Sequence, residues 1–110
     1  MDNIQNETYV TPRIVTTYGA TLLTPRMAAV FEAVALERLR QEMKWGQQNH
    51  DPYRWLAILS EEIGEAAQAA LHDEFGGRAA GTLRDELVQV AAVAISWIEC
   101  IDRNGGKGGE

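Results

Sequence analysis

Cysteine occurs once in the 110 residues, at Cys100, and histidine twice, at His50 and His72. One cysteine excludes an intrachain disulfide framework and any cysteine-rich zinc centre. Two histidines are too few for a His-rich metal site. Basic residues are also in short supply: ten Lys and Arg stand against sixteen Asp and Glu, a net charge of -6. A protein that grips a nucleic-acid backbone needs the opposite balance, so no nucleic-acid partner is expected. An acidic surface suits metal ions, and anionic substrates only through a bridging cation. The longest apolar run, VAAVAISWI, is too short to span a bilayer. The opening MDNIQNETYV lacks the basic and apolar regions of a signal peptide. The expectation is no membrane partner and a cytoplasmic, reducing location. What is present, 45% hydrophobic and 24% charged residues, reads as one soluble globular domain.

Along the chain, residues 1–24 are rich in Thr, Val, Ile and Tyr and have no helical period, which predicts an extended N-terminal arm. Thr24-Pro25 then reads as a helix cap with proline at the first helical position. Met27, Val30, Phe31, Val34, Leu39 and Met43 recur at helical spacing, and this helix should end near Trp45-Gly46. Asp51-Pro52 repeats the cap-and-proline signal. Trp55, Leu59, Ile63, Ala66 and Ala70 form the apolar stripe of a second helix, stopped around Phe75 by Gly76-Gly77. Thr82 and Asp85 resemble a capping box opening a third, Ala-rich helix through ELVQVAAVAISWIECIDR. Trp55, Trp97 and Met43 read as core, His72 as solvent-facing, and Cys100 as a packed residue rather than a nucleophile. The tail 104–110, NGGKGGE, reads as disordered. The expected architecture is all-α: three main helices per chain, spanning 25–103. The third helix is apolar over too wide an arc for two neighbours to cover, so a homodimer or homotetramer is expected to complete the bundle.

The informative residues are acidic. Glu61, Glu62 and Glu65 fall within an arc of about 100° on the second helix. Three carboxylates so close repel one another, and no Lys or Arg stands at i±3 or i±4 to relieve them. Glu62 borders the apolar stripe, where an unpaired carboxylate is expensive. Glu86 repeats the anomaly on the third helix, in line with Val90, Val93 and Trp97 and flanked by Gln89. A divalent cation answers all of this, since Mg²⁺ takes carboxylate oxygens and bridges to substrate phosphates. The competing explanations are a solvated acidic face or a cross-helix salt bridge from Arg40, Arg78 or Arg84. A di-iron carboxylate bundle is set aside, because it needs Glu-x-x-His and no Glu here has His three residues on. Gly64, mid-helix, costs about 1 kcal/mol relative to Ala. Close packing or substrate approach would explain it.

EEIGE (Glu61 to Glu65), followed about twenty residues later by ELVQ (Glu86 to Gln89), resembles the all-α MazG-like nucleotide pyrophosphohydrolases, whose signature is EExxE, a spacer, then ExxD. KWGQQNH, from Lys44 to His50, is similar to the segment that precedes EExxE in one branch of that family. The resemblance covers about residues 36 to 103. It implies Mg²⁺-dependent (or Mn²⁺-dependent) cleavage of a nucleoside triphosphate between the α and β phosphates, in nucleotide-pool house-cleaning. By that match Glu62, Glu65 and Glu86 are the primary metal ligands, Glu61 is a further ligand or a base, and Glu61 or Glu62 orients or deprotonates the attacking water. Lys44 is a candidate phosphate contact, Trp45 a candidate base-stacking residue, and Gln47 and His50 candidate contacts to base or sugar. The chain departs from the signature at Gln89, where the family has Asp. A Gln carbonyl still coordinates Mg²⁺ but brings no charge. The alternative this leaves open is a non-catalytic nucleotide-, metal- or partner-binding helical module of the same fold. The fourth helix common in the family is not evident in the sequence.

Overall fold

The computed structural model describes residues 23–105, and among them every regular element is α-helical. Three helices follow in order: α1 (Pro25–Trp45), α2 (Pro52–Phe75) and α3 (Leu83–Arg103). The arm expected over residues 1–24 lies outside the described residues except at its last two positions. Of the tail, only Asn104 and Gly105 are described. None of the described helices is long and apolar enough to cross a membrane.

Local chemistry sets the helix ends. Thr24 Oγ1 accepts from the Met27 amide at 3.0 Å, and Asp51 accepts from the Arg54 amide at 2.9 Å, so both cap-and-proline signals operate. α1 ends at Gly46 and α2 at Gly76, with φ of +75° and +93°, conformations that side chains other than glycine rarely adopt. The start of α3 differs from expectation. Thr82 has φ -106° and ψ 3° and makes no side-chain cap bond. Its hydroxyl donates instead to the Ala79 carbonyl at 2.7 Å. The turn over 79–82 uses the hydroxyl that a capping box would need.

Contacts divide the chain between Phe31 and Glu32. The described part of the first unit is the capped opening of α1, in which Met27, Val30 and Phe31 are exposed. The second unit holds the rest. In it, α2 and α3 pack along their length, and the Cys100 thiol near the end of α3 reaches the His50 carbonyl ahead of α2. The pair is therefore antiparallel. Its inner line on α2 runs Trp55, Ile58, Glu62, Ala66 and Ala69, one residue round from the expected stripe. Ala69 is fully buried, whereas Ile63 is 50% exposed. On α3 the facing line is Glu86, Gln89, Val93, Ser96 and Cys100. Both lines repeat at steps of three and four. Alanines at 66, 69 and 92 let the backbones approach, and Trp55, Val93 and Cys100 form the core, with Ile58, Leu59 and Trp97 against it. Trp55 and Trp97 stack at 6.2 Å.

Arg38 of α1 joins this pair, donating from Nη2 to Glu99 on α3 at 2.6 Å and to Glu42 at 2.7 Å. Within α1 only Val34 and Gln41 are buried. The expected core residue Met43 is 78% exposed and Leu39 is 54% exposed. The inward face of this part of α1 is set by 34, 37, 38 and 41, and positions 39 and 43 are turned about 100° or more away from it.

His72 is not solvent-facing. Its ring is half-buried and Nδ1 accepts from the Ala79 amide at 3.0 Å, pinning the α2–α3 connection. A Cβ at Gly77 would stand 2.4 Å from the His72 ring. Gly77→Ala is therefore expected to lower unfolding stability by about 1–3 kcal/mol. Gly64→Ala is the control. A Cβ there meets nothing within 4 Å, so packing does not explain that glycine, and the helix should gain about 1 kcal/mol. Urea denaturation of both variants reads the two signs, and an unaffected Gly77→Ala would show that the ring moves freely.

Candidate functional site

α2 and α3 bring three acidic side chains together. One carboxylate oxygen each from Glu62, Glu65 and Glu86 lies within 4.8 Å of the other two. Glu62 and Glu65 are one turn apart on α2, and Glu86 opens α3 across from them. Among the described residues no Lys or Arg pairs with this group. Arg40 is taken by Glu37, and Arg78 and Arg84 form no ion pair with the cluster. The cross-helix salt bridge is thus not what relieves these charges.

The cost shows in the carboxyls themselves. Glu62 is pushed above the ordinary glutamate range, first by burial and then by the charges of Glu65, Glu86 and Glu61. Glu86 is pushed up by burial and then by the nearby carboxylates of Glu65 and Asp85. Oε1 of Glu62 and Oε1 of Glu86 are buried with no hydrogen-bond partner. Buried oxygens without donors, in a set of hard anionic ligands converging from two helices, fit a divalent cation.

A cavity of about 360 Å³ adjoins Glu62. Its aromatic lining is Trp45, His50 and Trp55, and its aliphatic lining is Ile58 and Val93. Arg38, Arg40 and Arg54 bring positive charge to the wall, Glu61 and Glu62 bring negative charge, and the neutral Gln89 also lines it. Arg54 has no acidic partner among the described residues. Glu37, also on the wall, accepts from Arg40 Nε and Nη2 at 2.9 and 2.7 Å, and this pair holds its carboxyl below the usual range.

The sequence-derived candidates divide accordingly. Glu62, Glu65 and Glu86 form the cluster. Glu61 is exposed, lines the cavity and stands outside the three-carboxylate group. Gln89 is half-buried at the cavity edge. Trp45 and His50 line the cavity; the His50 ring also packs edge-on against Trp55, 4.9 Å between centroids. Lys44 and Gln47 do not line it. The Lys44 ammonium sits 4.8 Å from the centre of its neighbour Trp45's ring, and Gln47 accepts from Asn49 at 3.3 Å. Both alternate with neighbours that do line it, Trp45, Gly46 and Gln48.

Sequence reasoning missed the arginine wall, Gln41 and Ser96. The signal for Arg54 was its place two turns before Glu61. For Ser96 it was polarity among Ala92, Val93 and Cys100; Gln41, on a face shared with Glu37 and Arg38, gave none. No protein-family model, curated protein or solved structure matches this chain.

Proposed function

We propose that the chain is a MazG-like nucleoside triphosphate pyrophosphohydrolase, dependent on Mg²⁺ (or Mn²⁺), which cleaves a nucleoside triphosphate to monophosphate and pyrophosphate. The observation that carries this reading is the convergence of Glu62, Glu65 and Glu86, with buried unpartnered oxygens on Glu62 and Glu86, beside an arginine- and tryptophan-lined cavity. Glu62, Glu65 and Glu86 would hold the cation, with the Gln89 carbonyl adjacent. When bound, the ion neutralises phosphate oxygens and makes phosphorus more electrophilic. Arg54, two turns before Glu61 on α2, meets the negative charge of the polyphosphate, and Trp45 offers a face for the base to stack on. Glu61 orients the attacking water and takes its proton. The water oxygen bonds to the α-phosphorus, the bond to the bridging oxygen breaks, and pyrophosphate leaves.

A homodimer or homotetramer belongs to the same proposal. It is supported by exposed apolar side chains along each helix, Leu36 and Leu39 on α1, Leu56 and Ile63 on α2, and Leu87 and Ile98 on α3. House-cleaning of the nucleotide pool in the cytoplasm is the proposed setting.

The test is pyrophosphate release from a panel of ribo- and deoxyribonucleoside triphosphates with Mg²⁺, with Mn²⁺ and with chelator. Release is expected from at least one nucleotide with metal and from none with chelator. No release from any nucleotide, by folded protein that still binds metal, would move the weight to the non-catalytic module. The uncharged Gln89 would then be the explanation.

A further inference from the structure

Two buried side chains in the cavity wall each keep a polar atom that no other described residue engages. Gln41 is 7% exposed and Ser96 is 8% exposed, and both line the cavity. Gln41 Nε2 donates to Glu37 Oε2 at 3.2 Å. Its carbonyl oxygen has no partner among the described residues, and neither does the Ser96 hydroxyl. A serine within a helix often returns its hydroxyl to the carbonyl four residues back. Ser96 does not. Methionine and alanine would fill the same space without a desolvation cost.

The direction of the Gln41 amide is fixed from behind. Arg40 grips both Glu37 oxygens, so Glu37 is an ionised carboxylate that can only accept. Facing such an acceptor, the Gln41 amide must turn its nitrogen toward Glu37. What remains for the cavity is the carbonyl oxygen, an acceptor. Ser96, one helix away on α3, supplies a hydroxyl that donates or accepts. Flat rings at Trp45, Trp55 and His50 border the same space, whose volume suits a small planar ligand.

We propose that Gln41 and Ser96 are the base-reading residues of this site, the Gln41 carbonyl accepting an N–H from the edge of a nucleobase and Ser96 bonding the neighbouring edge atom. Glu37 is a positioning residue that sets the orientation of the amide. This rests on the pyrophosphohydrolase reading for the phosphate end of the ligand, and adds the means by which the other end is recognised. A base edge is distinguished here from a sugar or a bare anion by the requirement for a donor beside a stacked plane.

The experiment separates the two ends. Wild type, Gln41→Met, Ser96→Ala and Glu37→Gln are titrated, in Mg²⁺, with the α,β-methylene analogues of the four deoxynucleoside triphosphates and with inorganic tripolyphosphate. Tryptophan fluorescence reads binding and circular dichroism checks the fold. Gln41→Met is expected to weaken the tightest nucleotide about tenfold or more, and Ser96→Ala about three- to tenfold, the range of one lost hydrogen bond. Tripolyphosphate should stay within about twofold for both. Glu37→Gln frees the amide to turn over and should narrow the spread among the four nucleotides. Nucleotide and tripolyphosphate weakening in parallel, or neither weakening, would overturn the assignment, and an unchanged spread in Glu37→Gln would remove its positioning role. Wild type that binds nucleotides no better than tripolyphosphate would overturn the base site alone. Wild type that binds neither would overturn the pyrophosphohydrolase reading and this inference with it.

Discussion

Glu62→Gln is expected to make the metal-free protein more stable and to abolish pyrophosphate release. The two effects have one cause. In the metal-free chain Glu62 is a half-buried carboxyl crowded by Glu65, Glu86 and Glu61, with one oxygen lacking any partner. Removing its charge relieves the repulsion, and a gain of about 1 kcal/mol, or some 4–8 °C in melting temperature, is expected. The pH dependence gives the sign an independent check. Glu62 and Glu86 both titrate above the ordinary glutamate range when folded. Between that range, near pH 4.3, and their raised values, the folded state binds more protons than the unfolded state. Stability contributed by these groups therefore falls as pH rises through the window, and is fully present below it. Glu37, held low by Arg40, runs the other way: its contribution is lost as pH falls. Subtracting the Glu62→Gln profile from that of wild type leaves the Glu62 part, which should decline toward neutral pH.

Metal should invert this order. A cation bound only by the folded state stabilises it by about 2.7 kcal/mol at a hundred times its dissociation constant. Wild type should gain that increment and Glu62→Gln should not. Catalysis should fall with it, by about 10²–10³-fold or more, the loss expected for a group that supports charge in the transition state. Thermal melts with and without Mg²⁺ decide the matter alongside the release assay. A variant that is less stable without metal, and equally stabilised by it, would show that Glu62 is held by something other than a cation.

Much of the helical frame was legible because it is written in local signals. Thr24-Pro25, Asp51-Pro52, Gly46 and Gly76 act on the nearest turn of backbone and need no tertiary context. The acidic cluster was legible for a different reason. Carboxylates on an apolar line violate burial so strongly that Glu62 and Glu86 stand out without knowledge of how the helices meet. The residues that escaped depend on that meeting. Whether Gln41 and Ser96 are wall or surface is decided by the rotation of α1 and α3 about their axes. A stripe one residue out, as on α2, exchanges Ala70 for Ala69. Thr82 shows the limit of a local motif, since its hydroxyl serves the preceding turn rather than the helix. His72 and Gly77 make the same point, because their contact closes a loop that spacing does not describe.

Trp55→Ala is the substitution expected to cost most in stability. Trp55 is 1% exposed, stacks on Trp97, meets the His50 ring edge-on and packs with Val93 and Cys100. Few other large side chains in the second unit are buried, so little is available to collapse into the space. A loss of about 3–5 kcal/mol is expected, the upper range for aromatic truncation in a core. Small domains hold only about 5–15 kcal/mol in all, so this variant should sit at the edge of folding. Trp55→Phe separates shape from polarity. The indole N–H of Trp55 is buried and unpartnered, so phenylalanine loses volume but also removes an unsatisfied donor, and its cost should be the smaller by about 2 kcal/mol or more. Met43→Ala, at a side chain 78% exposed, sets the baseline within about 0.5 kcal/mol. Urea midpoints for the three variants test the ranking. If Met43→Ala cost as much as Trp55→Ala, and did so more at high protein concentration than at low, the stabilising core would lie between chains rather than between α2 and α3.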